Sequence, residues 1–222
     1  MKKKKKKIAA VIPMKNLDFV KSRLSTILTL QQRKNLALFL LNITIKTLKE
    51  SRLITKIIVV SSDKTIEEFS FENRLKFIKD SDNGVNNAVI LADRYCINND
   101  IDANIIIPHD LPFISAKEID QICNISEKYP KCIIICPSKR FDGTNILFRK
   151  PPNVIKTFYD DNSYMNHLKE AQKLNIPIES LDLDNLKFDI DTKEDLIELS
   201  ILQNWKSFLK DFNLKGNYSQ KI

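Results

Sequence analysis

Short apolar runs rich in Ile and Val recur along the chain at residues 8–12, 57–60, 105–107 and 133–135, each closed by polar residues or proline. Runs of that length without strict alternation predict strands buried on both faces. Between them lie stretches with helical spacing. In residues 30–48, Leu36, Phe39, Leu40 and Ile43 share one face, and in residues 86–97 Val89, Ala92, Tyr95 and Cys96 do the same. A short helix over 66–69, a strand over 75–78 and a helix over 116–129 entered through Ser115 as N-cap complete a β-α-β-α-β-α-β-α-β first half. Beyond it the pattern predicts a strand over 145–149, a helix over 163–174, a strand over 178–183 and a closing helix over 193–202. Strands alternating with helices imply a mainly parallel sheet in a three-layer α/β/α arrangement.

No Gly/Ser linker and no internal repeat divides the 222 residues, a length that suits one core. We therefore expect a basic tail over 1–7, a single domain over 8–202 and a C-terminal extension over 203–222, a helix packed on the body or on a second copy in a homodimer. Charged residues at 29% and hydrophobic residues at 43% are ordinary globular values.

The net charge of +8 changes little, because Lys2, Lys3, Lys4, Lys5, Lys6 and Lys7 carry six of those charges. The remaining body is nearly balanced and has no basic stripe with interleaved aromatics, which argues against a nucleic-acid partner. The apolar run after the lysines meets Pro13, Lys15 and Asp18 at once and is too short for a signal peptide. No stretch approaches the ~18 apolar residues of a membrane span. Cys96, Cys123, Cys132 and Cys136 lack the paired C-x2-C spacing of a zinc site and read as buried thiols, which suits the cytoplasm.

In a parallel sheet, ligands bind beyond the carboxyl ends of the strands. After the first strand come Pro13, Lys15, Lys21 and Arg23, three cations in a glycine-free loop able to hold phosphate oxygens. After the fourth comes Asp110, between Pro108 and Pro112, a carboxylate placed to hold a hard cation such as Mg²⁺. Asp189 and Asp191 would point the same way in an extended segment, although Asp191 could instead cap the helix that follows. With only three glycines, Gly84 and Gly143 mark sharp turns or close ligand approach. His109 and His167 have no metal-ligand spacing, and neither a G-x-S-x-G elbow, a Walker loop nor a Rossmann fingerprint is present.

Five of these motifs occur together and in order: Ile12-Pro13-Met14-Lys15 with Lys21-Ser22-Arg23-Leu24, Asp110-Leu111-Pro112, Asp142-Gly143-Thr144-Asn145, Ser163 to His167, and Asp189-Ile190-Asp191-Thr192. In this the chain resembles the 2-phospho-L-lactate guanylyltransferase family of coenzyme F420 biosynthesis, phosphoenolpyruvate guanylyltransferases included. The resemblance implies a nucleotide-diphospho-sugar-transferase-like fold, GTP as co-substrate, Mg²⁺ as cofactor and a small phospho-acid as acceptor: 2-phospho-L-lactate, phosphoenolpyruvate or 3-phosphoglycerate.

It further implies that Lys15, Lys21 and Arg23 hold the triphosphate, and that Asp82, Gly84 and Asn86 belong to a base-reading loop. Asp110 with Asp189 or Asp191 would bind Mg²⁺. Thr144 and Ser163 would hold the acceptor, with Gly143, Asn145 and Asp160 nearby. The chain departs from the family pattern in two places: Asn83 replaces a glycine of the base-reading loop, and Tyr159-Asp160 stands where a Phe-Gly pair is usual. A same-fold nucleotidyltransferase using a sugar phosphate or a molybdopterin is the competing reading.

Overall fold

A computed structural model describes residues 6–202, with side chains through Leu199. The strands are β1 (Ile8–Pro13), β2 (Ile54–Ser61), β3 (Lys76–Lys79), β4 (Ala103–Ile106), β5 (Cys132–Pro137), β6 (Thr144–Lys150) and β7 (Ile178–Ser180). The helices are α1 (Leu30–Glu50), α2 (Lys64–Glu72), α3 (Val85–Asn98), α4 (Ala116–Ile125), α5 (Ser163–Lys173), α6 (Asp184–Lys187) and α7 (Lys193–Leu202). The predicted element order of the first half therefore stands. The second half differs in one respect: the strand expected over 178–183 stops at Ser180, and α6 follows.

The seven strands form one sheet in the order β3-β2-β1-β4-β6-β5-β7. β3, β2, β1 and β4 pair in parallel, β5 pairs in parallel with β7, and β6 runs antiparallel to both of its neighbours, β4 and β5. Alternate side chains of β1 face opposite layers. Ile8, Ala10 and Ile12 pack in a cluster with Ala37, Leu41 and Ile45 of α1, Ile66 of α2 and Ile119 and Ile122 of α4. Ala9 and Val11 pack in another with Val89, Ala92 and Cys96 of α3 and Ala171 of α5. All four cysteines are buried free thiols. The layers are thus α/β/α.

Local chemistry sets the helix starts. Thr29 and Gln32 form a capping box on α1, Asp63 accepts from the amides of Thr65 and Ile66 at α2, and Ser115 accepts from Glu118 at α4. Gly84 precedes α3 with φ 85°, a conformation that side chains disfavour.

Two topological facts place the site. The chain leaves β1 for β2 on one side, while β4 lies on the other, so the strand order reverses between β1 and β4 and opens a crevice beyond their carboxyl ends. Because β6 is antiparallel, its first residues, Thr144 and Asn145, arrive at the same edge, opposite the end of β5. The predicted tail boundary falls where Lys6 pairs with Glu127 and the Lys7 amide donates to Asp102. The predicted extension over 203–222 lies outside the described residues. Among the described residues no helix is long and apolar enough to cross a membrane.

Toward the opposite edge of the sheet, near the end of β6, lies a charge pair that no sequence pattern announced. Arg149, 1% exposed, hydrogen-bonds Asp93 and donates to the carbonyl of Ile155 at 3.1 Å, while Asn104 donates to Asp93 at 2.8 Å. Breaking a buried pair from one side leaves an uncompensated charge, at a cost of about 3–5 kcal/mol. Asp93→Ala should therefore lower the unfolding free energy by about that amount in denaturant titration, and Asp93→Ala/Arg149→Met should recover at least ~1 kcal/mol. A double variant no more stable than the single one would rule out this account.

Candidate functional site

The loop leaving β1 is held in place before it offers any functional group. The amide of Met14 donates to the carbonyl of Val60, and the amide of Leu17 donates to Asp63 at 2.9 Å. Arg33 of α1 donates to the carbonyl of Val20 at 2.7 Å, and Lys34 pairs with Asp18. Sequence reasoning passed over Asp63 and Arg33. Asp63 does carry a readable signal, since it stands two residues beyond the carboxyl end of β2, the kind of place inspected after β1 and β4.

At the end of this loop Lys21 adopts a left-handed backbone, φ 50° and ψ 41°, ahead of a 3₁₀ turn over Ser22–Leu24. A non-glycine residue in that region is held there by its surroundings. Leu24 is buried in a small cluster with Leu36 and Leu40 of α1, Phe188, Ile190 and Leu196. Alternation does the rest. With Phe188 and Ile190 packed inward along an extended segment, Asp189 and Asp191 fall on the other side, and the amide of Ile190 donates to the carbonyl of Asp110. Phe188 also stacks on Phe113, with centroids 5.5 Å apart, which fastens the segment to the loop after β4.

The outcome is a charge cluster drawn from three stretches of chain. The Lys21 ammonium, its side chain 3% exposed, hydrogen-bonds Asp110 and sits 3.0 Å from Asp191, which also receives Arg23 at 3.3 Å. Two carboxylates, Asp110 and Asp191, thus meet one buried ammonium and one exposed guanidinium, and Asp189 lies near enough to feel their charges. The imbalance shows in Asp189, whose carboxyl is pushed up to about 6 by burial and by the charges of Asp110 and Asp191. Asp110 is held below the usual carboxylate range because Lys21 and His109 outweigh its burial.

Asp191 does not cap α7. Asp195 accepts from the amides of Asp191 and Thr192, and Thr192 accepts from Asp195, which leaves the Asp191 carboxylate to Lys21 and Arg23. Among the described residues no group of three Asp, Glu, His or Cys side chains is already gathered for a metal ion. The donors nevertheless suit a hard cation. Oδ1 of Asp110 is buried without a hydrogen-bond partner, and the cluster carries surplus negative charge.

The second group of residues meets at the start of β6. The amide of Thr144 donates to Ser163 Oγ at 2.7 Å, and Thr144 Oγ1 lies 3.0 Å from His167 Nδ1. His167 Nε2 accepts the amide hydrogen of Phe158, so Nδ1 carries the ring hydrogen and donates it to Thr144. His167 is fully buried, and burial together with Arg149 pushes it down to about 3, fixing it as neutral. The hydroxyls of Thr144 and Ser163 therefore act as acceptors within the fold and keep their own hydrogens to donate. His167 entered the sequence reading as a histidine without metal-ligand spacing and as part of a motif; its orienting role needed the contact from Phe158.

The other predicted residues divide. Pro13 closes β1 at the crevice, Lys15 is exposed, and Asp82 is exposed with φ 59° beside Asp80. Asn86 is engaged with Tyr159 and Asp160, as described further below. Two residues expected near the acceptor also make contacts within the fold. Asn145 donates to the carbonyl of Leu186 and anchors α6. The amide of Gly143 is taken by Ser138 Oγ, and a Cβ on Gly143 would stand 3.1 Å from that oxygen, so glycine serves the tightness of the β5–β6 turn.

The arrangement matches known proteins throughout its length. The chain is 36% identical over 213 residues to a 2-phospho-L-lactate guanylyltransferase of Methanocaldococcus jannaschii, covering 94% of this chain and 90% of that one. It is 31% identical over 199 residues to a phosphoenolpyruvate guanylyltransferase of Thermobaculum terrenum, covering 90% and 85%. Among solved structures, a protein described as a nucleotide-diphospho-sugar transferase from Desulfovibrio desulfuricans G20 shares the fold with a TM-score of 0.74 at 15% identity, over 94% of each chain. A sequence model of the family described as "Guanylyl transferase CofC like" matches residues 8–220, and the chain belongs to that family.

Proposed function

We propose that the protein transfers a guanylyl group from GTP to the phosphate of a small three-carbon phospho-acid, with release of pyrophosphate and with Mg²⁺ as cofactor. The observation that carries this reading is the meeting of Lys21, Arg23, Asp110 and Asp191 at the β1–β4 reversal, with Asp189 within reach of their charges, at the same sheet edge as Thr144 and Ser163. Family membership and the activities of the two guanylyltransferase relatives support it.

The chemistry asks little of the protein beyond position and charge. A phosphate monoester has a second pKa near ~6 and is largely dianionic at neutral pH, so its oxygen can attack the α-phosphorus of GTP without a general base. An O–Pα bond forms, the bond from Pα to the bridging oxygen breaks, and pyrophosphate departs with that electron pair. Lys15 and Arg23 are both exposed beside the crevice and can neutralise the leaving group, Arg23 by exchanging its pairing with Asp191 for the phosphate. Asp110 with Asp189 and Asp191 would hold Mg²⁺, which supplies Lewis-acid stabilisation of phosphate oxygens. Lys21, now bonded to two of those carboxylates, keeps them together at this edge. The hydroxyls of Thr144 and Ser163 can each donate to the acceptor's phosphate or carboxylate, because His167 and the Thr144 amide occupy their acceptor lone pairs.

With Mg²⁺ and GTP, pyrophosphate release should require one of 2-phospho-L-lactate, phosphoenolpyruvate or 3-phosphoglycerate, and ATP should substitute poorly. Release only with a sugar phosphate or a molybdopterin would replace this reading by the competing one.

Asp110→Asn should reduce turnover by at least ~10²-fold and abolish the rise in melting temperature that Mg²⁺ and GTP give the wild type. The unliganded protein should melt within a few degrees of wild type, because Asp191 still serves Lys21 and one source of repulsion on Asp189 is gone. Near-normal turnover would remove Asp110 from the metal site.

His167 yields a pH prediction. Its folded pKa, about 3, lies below the unfolded value of ~6.5, so between the two the unfolded chain binds the extra proton and stability rises with pH. The contribution is complete above ~6.5 and is lost as pH falls toward 3, at ~1.4 kcal/mol per pH unit. Urea unfolding at pH 6 and pH 5 should therefore show wild type losing about that much more than His167→Gln. Parallel losses would mean that the imidazole is not held neutral.

A further inference from the structure

Asn86 opens α3 from the loop assigned to the nucleotide, yet both ends of its carboxamide are spent on a segment more than seventy residues away. Nδ2 donates to Asp160 Oδ2 at 2.8 Å, and Oδ1 accepts the amide hydrogen of Tyr159 at 3.0 Å. The residue before these, Phe158, gives its amide hydrogen to His167, and the Tyr159 ring meets the imidazole edge-on with centroids 5.1 Å apart. Three successive residues are therefore fastened on two sides: Tyr159 and Asp160 to α3, and Phe158 to the histidine that orients Thr144. The segment then turns through Asn162, φ 41°, into Ser163 at the start of α5. It forms a strap between the nucleotide side and the acceptor side of the crevice.

Asp160 is the unusual member of this strap. Its carboxylate is exposed, makes no ion pair among the described residues, and stands three residues before Ser163, whose hydroxyl is offered to the acceptor. Left free, a carboxylate there would oppose a ligand carrying both phosphate and carboxylate. Bound to Asn86, it is directed toward α3.

We infer that Asn86 is a positioning and specificity-determining residue for the acceptor: it fastens the Tyr159–Asp160 strap to α3 and turns the Asp160 carboxylate away from an anionic substrate. The inference rests on the proposed transfer to a phospho-acid. It gives Asn86 a task on the acceptor side rather than in reading the base, for which the same amide atoms would be needed.

The test uses the full-length protein, Mg²⁺, GTP and whichever of the three phospho-acids the wild type accepts. Asn86→Ala should raise KM for that acceptor by about tenfold, leave kcat within about threefold and leave KM for GTP nearly unchanged. Adding Asp160→Asn should bring the acceptor KM back to within about threefold of wild type, since the released side chain no longer carries charge. A double variant as impaired as the single one, or a rise confined to KM for GTP, would overturn the inference.

A second readout needs no substrate. Asn86→Asp should lower the melting temperature by setting two carboxylates against each other. Asn86→Asp/Asp160→Asn should restore it, because the exchanged pair can make the same hydrogen bonds. If the wild type releases no pyrophosphate with any phospho-acid, the proposed function fails by itself, and the acceptor role inferred for Asn86 fails with it. Failure of the exchanged pair to restore stability removes the strap whatever the activity.

Discussion

The ammonium of Lys21 joins stretches of chain separated by 89 and 170 residues, bonding Asp110 after β4 and Asp191 before α7. A lysine in a left-handed backbone, buried and flanked by carboxylates, would be costly in isolation, and so would the carboxylates without it. Each makes the other tolerable. Nearly every feature of the surrounding fold serves that meeting: the fastening of the β1 loop by Asp63 and Arg33, the packing of Leu24 against α1, and the alternation that buries Phe188 and Ile190 while leaving Asp189 and Asp191 on the other side.

A different economy governs the other half of the crevice. There the polar groups are neutral and their hydrogen atoms are assigned by contact. The Phe158 amide sets the tautomer of His167, His167 sets the hydroxyl of Thr144, and the Thr144 amide engages Ser163. Arg149 contributes to keeping the imidazole uncharged and also braces the segment beginning at Ile155, so the buried Asp93–Arg149 pair supports this side from below. One side of the crevice thus presents charge and the other directional donors.

Antiparallel β6 is what lets the two halves face a common edge. In a wholly parallel sheet the first residues of a strand lie at the edge remote from the ligand crevice. Reversing β6 carries Thr144 to the crevice and its last residues, Arg149 and Lys150, away from it. The tight turn that allows the reversal depends on Gly143 and Ser138, one of the two tasks expected of this glycine.

The amino-acid sequence by itself determined the elements and the stations of chemistry along them: the apolar runs that became β1, β2, β4 and β5, the caps at Ser115 and Gly84, Asp110 after β4, and the paired aspartates 189 and 191. These are legible because periodicity, capping and φ preference arise between atoms a few residues apart. Tertiary structure alone decided where the side chains on those stations turn. Lys21 binds carboxylates, Asn145 holds α6, Asn86 holds the strap, and His167 and Asp63 gain roles that their neighbours in sequence do not suggest. The reason is physical. A polar side chain goes to whichever partner satisfies it at least cost in desolvation, and each of these residues takes at least one partner from a distant part of the chain.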